Sequence, residues 1–119
     1  MVTSRVLIVD DHAGFRRLAR TLLELEGFEI VGEAATGRDA VEMVARLRPD
    51  AVLLDIQLPD VNGFAVCRGI RADWPHVRVV LCSVHRVTDY GSSYAESGAH
   101  GFAAKDEFSV RQIAVMLGP

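Results

Sequence analysis

Only two cysteines, Cys67 and Cys82, occur in the 119 residues, so neither a disulfide framework nor the ligand set of a structural zinc site can be assembled. Long apolar runs are absent as well: none approaches the ~18 residues that cross a bilayer. The start, Met1-Val2-Thr3-Ser4-Arg5, lacks the apolar stretch of a secretory signal. A strong charge of either sign is missing too. Thirteen Lys+Arg against 16 Asp+Glu leave a net charge of −3 with no basic stripe, a poor composition for holding nucleic acid directly. Neither a G-x-x-x-x-G-K-[ST] loop nor a G-x-G-x-x-G turn is present, so nucleotide binding has no support. With no repeat, low-complexity tract or linker, residues 1–119 read as one domain. Half the residues are hydrophobic and 24% charged, which excludes disorder and suits a globular domain with no membrane span, expected in the cytoplasm. Lysine is the scarcest basic residue: Lys105 stands alone among 13 basic side chains. Drift would account for that. So would a site that needs a compact ammonium on a flexible stem and cannot take a planar guanidinium.

Short apolar runs alternate with amphipathic stretches. The runs are Val6–Val9, Phe28–Val31, Ala51–Leu54, Val77–Cys82 and His100–Ala104, each short enough and apolar enough for a strand buried on both faces of a parallel sheet. Between them, Phe15, Leu18, Ala19, Leu22 and Leu23 make a helical stripe that stops at Gly27. Thr36 caps a second helix and Asn62 a third. A fourth is expected over Thr88–Ser97, closed by Gly98. Ser109 caps a fifth of about two turns, with Gln112 completing a capping box, Phe108 stapling onto Ile113, and Gly118-Pro119 ending it. Five strands alternating with five helices predict an α/β fold, an open parallel sheet with helices on both faces.

The polar residues that terminate the runs carry the chemistry. Run one ends in Asp10-Asp11, run three in Asp55, run four in Ser83 and run five in Lys105. In an open parallel sheet the carboxyl ends of the strands face one crevice, where ligands bind. Three carboxylates, a hydroxyl and the sole lysine should meet there. Carboxylates so close repel one another unless a cation joins them, and hard oxygen ligands select Mg²⁺ or Mn²⁺ over zinc. Capping of the following helix is an alternative use for Asp11, but it accounts for neither Asp55 nor its approach to a lysine. Cys67 and Cys82 read as small core residues. His12, His76, His85 and His100 show no ligand spacing and read as surface or loop residues, and Tyr90 and Tyr94 as residues along the fourth helix.

Val9-Asp10-Asp11-His12, Leu54-Asp55-Ile56-Gln57-Leu58-Pro59-Asp60-Val61-Asn62-Gly63, Val80-Leu81-Cys82-Ser83 and Gly98–Asp106 resemble, in order, the four signatures of the receiver domain of bacterial two-component response regulators. The resemblance covers nearly the whole chain, and Asp-Asp-His with Lys-Asp looks most like receivers attached to helix-turn-helix output domains. It implies a doubly wound, flavodoxin-like sheet of order 2-1-3-4-5. Asp55 is similar to the phosphoacceptor, with a sensor histidine kinase as donor. Mg²⁺ would be bound by Asp11, Asp55 and the backbone carbonyl of Gln57, with Asp10 acting through a water. Lys105 and Ser83 would contact phosphoryl oxygens, and Ser83 with Phe102 would form the switch. Gln57 and His85 would govern the lifetime of the aspartyl phosphate. The domain would be a signalling switch that catalyses only its own phosphorylation and dephosphorylation, open to homodimer formation, reaching DNA only through an output domain outside this chain.

Two features depart from common family patterns. Asp106 follows Lys105 where many receivers have a proline after a cis bond, so a trans bond is expected. The last helix is also short. Two other readings compete: a haloacid-dehalogenase-like Mg²⁺-dependent phosphatase, which would place an Asp-x-Asp pair after the first strand, and a docking module independent of phosphorylation.

Overall fold

The computed structural model describes residues 4–118. Met1 to Thr3 and Pro119, the expected stop of the last helix, lie outside the described residues. The chain runs β1 (Arg5–Val9), α1 (Ala13–Leu25), β2 (Glu29–Ala34), α2 (Gly37–Leu47), β3 (Ala51–Asp55), α3 (Gly63–Asp73) and β4 (Arg78–Ser83). A 3-10 turn (Val87–Tyr90) and α4 (Ser93–Ser97) lead to β5 (Gly101–Ala104), and a second 3-10 turn (Lys105–Glu107) leads to α5 (Val110–Leu117). The five strands are parallel in the order β2-β1-β3-β4-β5, as expected.

Alternation along the strands divides the core into two layers. Leu7, Val9, Val52, Leu54, Val79 and Leu81 pack with residues of α2 and α3 on one face. Val6, Ile8, Leu53, Val80 and Cys82 pack with Ala19 and Leu23 of α1 and Ile113 and Leu117 of α5 on the other. Both faces of β1, β3 and β4 are therefore covered, which explains why these runs read as continuously apolar.

Local capping follows the expected chemistry. Thr36 accepts from the Asp39 N–H and Asn62 from the Phe64 N–H. Ser109 accepts from the Gln112 N–H, although only this half of the expected capping box forms. Phe108 joins the same apolar cluster as Ile113 and meets Phe15 edge-on with centroids 5.6 Å apart. No cis peptide bond occurs among the described residues, and the Lys105-Asp106 bond is trans.

Helix α1 departs from the expected stripe. Arg16 and Arg20 both donate to Glu33 on β2, at 3.1 and 2.7 Å, and this grip sets the rotation of the helix. Ala19 and Leu23 turn inward while Leu18 is left 50% exposed. The fourth helix differs more. The expected span Thr88–Ser97 is broken at Gly91, whose φ of +59° lies in the left-handed region that glycine adopts without a Cβ penalty. A 3-10 turn precedes the break, and one turn of α-helix follows it, stopped by Gly98 at φ +77°. Gly, Ser and Ser in succession supply too little helix propensity to bridge the break.

Candidate functional site

Parallel register brings the four chain segments that follow β1, β3, β4 and β5 to one edge of the sheet. Asp10 is fully buried there, Asp55 is buried as the last residue of β3, and Ser83 is buried as the last of β4. Asp11 is exposed beside them. Lys105, at the end of β5, reaches across so that its Nζ lies 2.5 Å from Asp10 Oδ2 and 3.4 Å from Asp55 Oδ2. The same ammonium sits 4.6 Å above the Phe15 ring, which α1 supplies.

Backbone contacts fix the carboxylates. The remaining Asp10 oxygen accepts from the His12 N–H at 2.9 Å, and Asp55 Oδ1 accepts from the Gln57 N–H at 3.2 Å. Arg16 donates to the Asp10 carbonyl at 2.6 Å, tying the site to the same arginine that grips Glu33. Behind Asp55 the chain turns back on itself. Gly63 donates to the Ile56 carbonyl at 2.7 Å, and a Cβ at position 63 would lie only 2.4 Å from the Asp55 carbonyl oxygen. Glycine is required there because backbone passes against backbone. Asp60, in the same loop, accepts from the N–H groups of Gly37 and Arg38 and so pins the loop to the start of α2.

The electrostatics reflect this crowding. Burial, and then the neighbouring Asp10 carboxylate, push the Asp55 carboxyl above its ordinary value against the opposing pull of Lys105. For Lys105, burial disfavours the charge, but the hydrogen bond to Asp10 and the charges of Asp55 and Asp10 outweigh it and raise its pKa. Asp10, Asp11, His12 and Asp55 each offer a ligand atom within 4.8 Å of the others.

Sequence reasoning missed the part played by His12. It is exposed, as expected, yet its Nδ1 lies 3.1 Å from Asp11 Oδ1 and 3.4 Å from Asp10 Oδ1. It also serves as the N-cap residue of α1, so the alternative use of Asp11 as that cap is not realised. Adjacency to the acidic pair was the available signal.

Ser83 makes no hydrogen bond to the carboxylates among the described residues. Its Oγ is 2.5 Å from the Tyr90 hydroxyl and accepts from the His85 N–H at 3.1 Å. Tyr90, expected simply along the fourth helix, instead ends the 3-10 turn and points its hydroxyl at the end of β4. No periodicity links positions 83 and 90, so nothing in the sequence pairs them. Phe102 is half-buried between the two tyrosines, 6.3 Å from Tyr90 and 6.0 Å from Tyr94. The exposed His85 ring meets Tyr90 edge-on at 6.2 Å. The cysteines are core residues: both are buried, and burial pushes both thiols up. His100 lies in the bend before β5, a loop residue as expected, where its Nδ1 accepts from the Val79 N–H and its own N–H donates to the Val79 carbonyl.

Comparison with known proteins places this geometry. Residues 6–117 match the response regulator receiver domain family. The chain is 35% identical over 103 residues to the transcriptional regulatory protein DegU of Brevibacillus brevis, covering 86% of this chain and 44% of that protein. It is 36% identical over 101 residues to the chemotaxis protein CheY of Thermotoga maritima, covering 85% and 84%. Among solved structures, the receiver domain of the response regulator NarL from Mycobacterium tuberculosis superposes with a TM-score of 0.84 at 29% identity, each chain covered in full. The chain spans about half the length of other relatives it matches, 44% of DegU and 48% of the response regulator GacA from Pseudomonas aeruginosa. With this match over nearly its whole length, the phosphatase alternative gives way, and the chain belongs to the response regulator receiver domain family.

Proposed function

We propose that Asp55 is the phosphoacceptor of this receiver domain, taking a phosphoryl group from the phosphohistidine of a sensor histidine kinase in a Mg²⁺-dependent reaction, and that the change is passed to an output domain controlling transcription. The observation that carries this reading is the position of the only lysine, bridging the buried carboxylates of Asp10 and Asp55 at the carboxyl edge of the sheet. In the transfer an Asp55 oxygen forms the new O–P bond as the N–P bond of the phosphohistidine breaks, and the imidazole leaves neutral after taking up a proton. The Lys105 ammonium neutralises charge on the transferring group, and Ser83 donates its hydroxyl proton to a phosphoryl oxygen.

The donor set fits a hard divalent cation: three carboxylates face a single ammonium, and all the side chains but His12 offer oxygen. Asp11, Asp55 and the Gln57 carbonyl would hold Mg²⁺, with Mn²⁺ as the alternative and Asp10 acting through a water. When bound, the ion offsets the negative charge that accumulates as the phosphoryl group approaches. Gln57 and His85 flank Asp55 and Ser83 in sequence and set the lifetime of the product, so alanine at either position changes the rate of phosphate loss.

Acetyl phosphate with Mg²⁺ tests the reading. Intact-mass spectrometry is expected to find one phosphoryl group, absent in Asp55→Asn and after EDTA. Full labelling of Asp55→Asn would overturn the assignment, and no label on the unaltered chain would favour the docking module.

A further inference from the structure

The switch residue Ser83 has a partner outside the acidic site. Side chains of Asp10, Asp55 and Lys105 continue the alternation of the strands on the face covered by α1 and α5, with Cys82 paired to Asp55. Ser83, one residue further along β4, falls on the opposite face, with Phe64, Tyr90 and Phe102. Its hydroxyl has one proton and two lone pairs. Among the described residues its polar contacts are the Tyr90 hydroxyl at 2.5 Å and the His85 N–H at 3.1 Å, and no carboxylate of the acidic site is among them.

Tyr90 is built to keep this position. Its ring is half-buried, edge-on to Phe64 with centroids 5.2 Å apart and tilted against Phe102 at 6.3 Å. The 3-10 turn that carries it is closed at its start by the Asp89 carboxylate, which accepts from the Arg86 N–H. Gly91 then breaks the chain direction immediately after it. Phe102, which precedes Lys105 by three residues, has no hydroxyl. The hydroxyl in this layer comes from a different element.

We propose that Tyr90 is a positioning residue for the phosphoacceptor reaction, holding the Ser83 hydroxyl on the α3/α4 side of the sheet so that engagement of a phosphoryl group on Asp55 breaks the Ser83–Tyr90 hydrogen bond. The inference rests on the reading of Asp55 and Ser83 given above. Resting geometry is thereby favoured, and the same break frees the Val87–Tyr90 turn, which couples the site to α4. Removing the Tyr90 hydroxyl while keeping the ring should favour the engaged state by the net worth of one neutral hydrogen bond, about 3- to 10-fold in an equilibrium constant.

Binding of beryllofluoride, an analogue of the aspartyl-bound phosphoryl group, measured by ¹⁹F NMR at saturating Mg²⁺, reads this directly. Tyr90→Phe is expected to lower the half-saturating beryllofluoride concentration about 3- to 10-fold. On a Ser83→Ala background, adding Tyr90→Phe is expected to leave it unchanged, because the partner is already gone. A merely structural role for Tyr90 would shift both backgrounds alike. An unchanged or raised concentration in Tyr90→Phe, or an equal fall on both backgrounds, overturns the proposal while leaving the phosphoacceptor reading intact. Wild-type protein that takes up no beryllofluoride overturns both.

Discussion

Asp55 occupies a position that works against folding when it is charged. Burial and the Asp10 carboxylate raise its carboxyl in the folded chain, so the native state holds that proton more tightly than the unfolded state does. The penalty is absent below the unfolded value of about 4 and grows as pH rises from there through the folded value. Without metal, Asp55→Asn is therefore expected to melt above wild type at pH 7. The difference should shrink toward zero as pH falls below about 4. Equal melting temperatures at pH 7 would contradict the account. Glu33 has the opposite sign: burial alone would raise it, but hydrogen bonds from Arg20 and Arg16 hold it below its ordinary value, so its contribution is present at neutral pH and lost in acid. Lys105 offers a second test. Its Nζ fits between two carboxylates and the Phe15 ring, a space matched to a point charge, whereas a guanidinium is wider and seeks a planar bidentate partner. Lys105→Arg is expected to keep the charge and lower the rate of labelling by acetyl phosphate at least tenfold. Labelling at the wild-type rate would make the solitary lysine a coincidence of composition.

At the scale of elements, the segment between β4 and β5 stands out. It holds a 3-10 turn and five residues of α-helix, where α1, α2 and α3 have 13, 11 and 11 residues. A single helical turn fixes several dihedrals for very few hydrogen bonds, so α4 exists only because the rest of the fold supports it. The segment between β4 and β5 is anchored by Tyr90, Tyr94 and Ala99 against the α2/α3 layer, and by the buried Ser97, whose carbonyl accepts from the Cys67 thiol. Hydrogen exchange is expected to find residues 86–97 the least protected helical segment at rest, with protection changing on phosphorylation. Slow exchange there, unaltered by phosphate, would place the moving surface elsewhere. In contrast, the loop from β3 to α3 is closed across its ends by the Gly63 N–H on the Ile56 carbonyl and held between them by Asp60 on the N–H groups of α2. The side of the site that carries the nucleophile is therefore expected to be more protected in that experiment than the side that carries Ser83.

Across the whole molecule, the acidic edge and overall stability are linked. A divalent cation that binds the folded site and not the unfolded chain stabilises by about 2.7 kcal/mol at 100 times its dissociation constant. Saturating Mg²⁺ is expected to raise the melting temperature of wild type by roughly 10 °C, and much less for Asp11→Asn, which would lose a ligand. An equal rise in both would exclude Asp11 as a ligand. The alternation of apolar runs with amphipathic stretches, each ended by a polar residue, was enough to read the parallel α/β class and the meeting of Asp10, Asp55 and Lys105, because strand ends in such a sheet share one edge whatever their separation in sequence. Thr36, Asn62 and Ser109 were legible as caps because capping acts over three residues. Strand order came only with the family signatures, since periodicity carries no information about which strands are neighbours. Tertiary structure alone decided the rest. The rotation of α1 that exposes Leu18 depends on Arg16 and Arg20 finding Glu33 on another element. The break at Gly91 depends on whether packing can repay weak helix propensity, and here it does not. The Ser83–Tyr90 hydrogen bond joins a strand end to a 3-10 turn whose shape no local pattern specifies, because a contact between two elements is set by how both pack against a third.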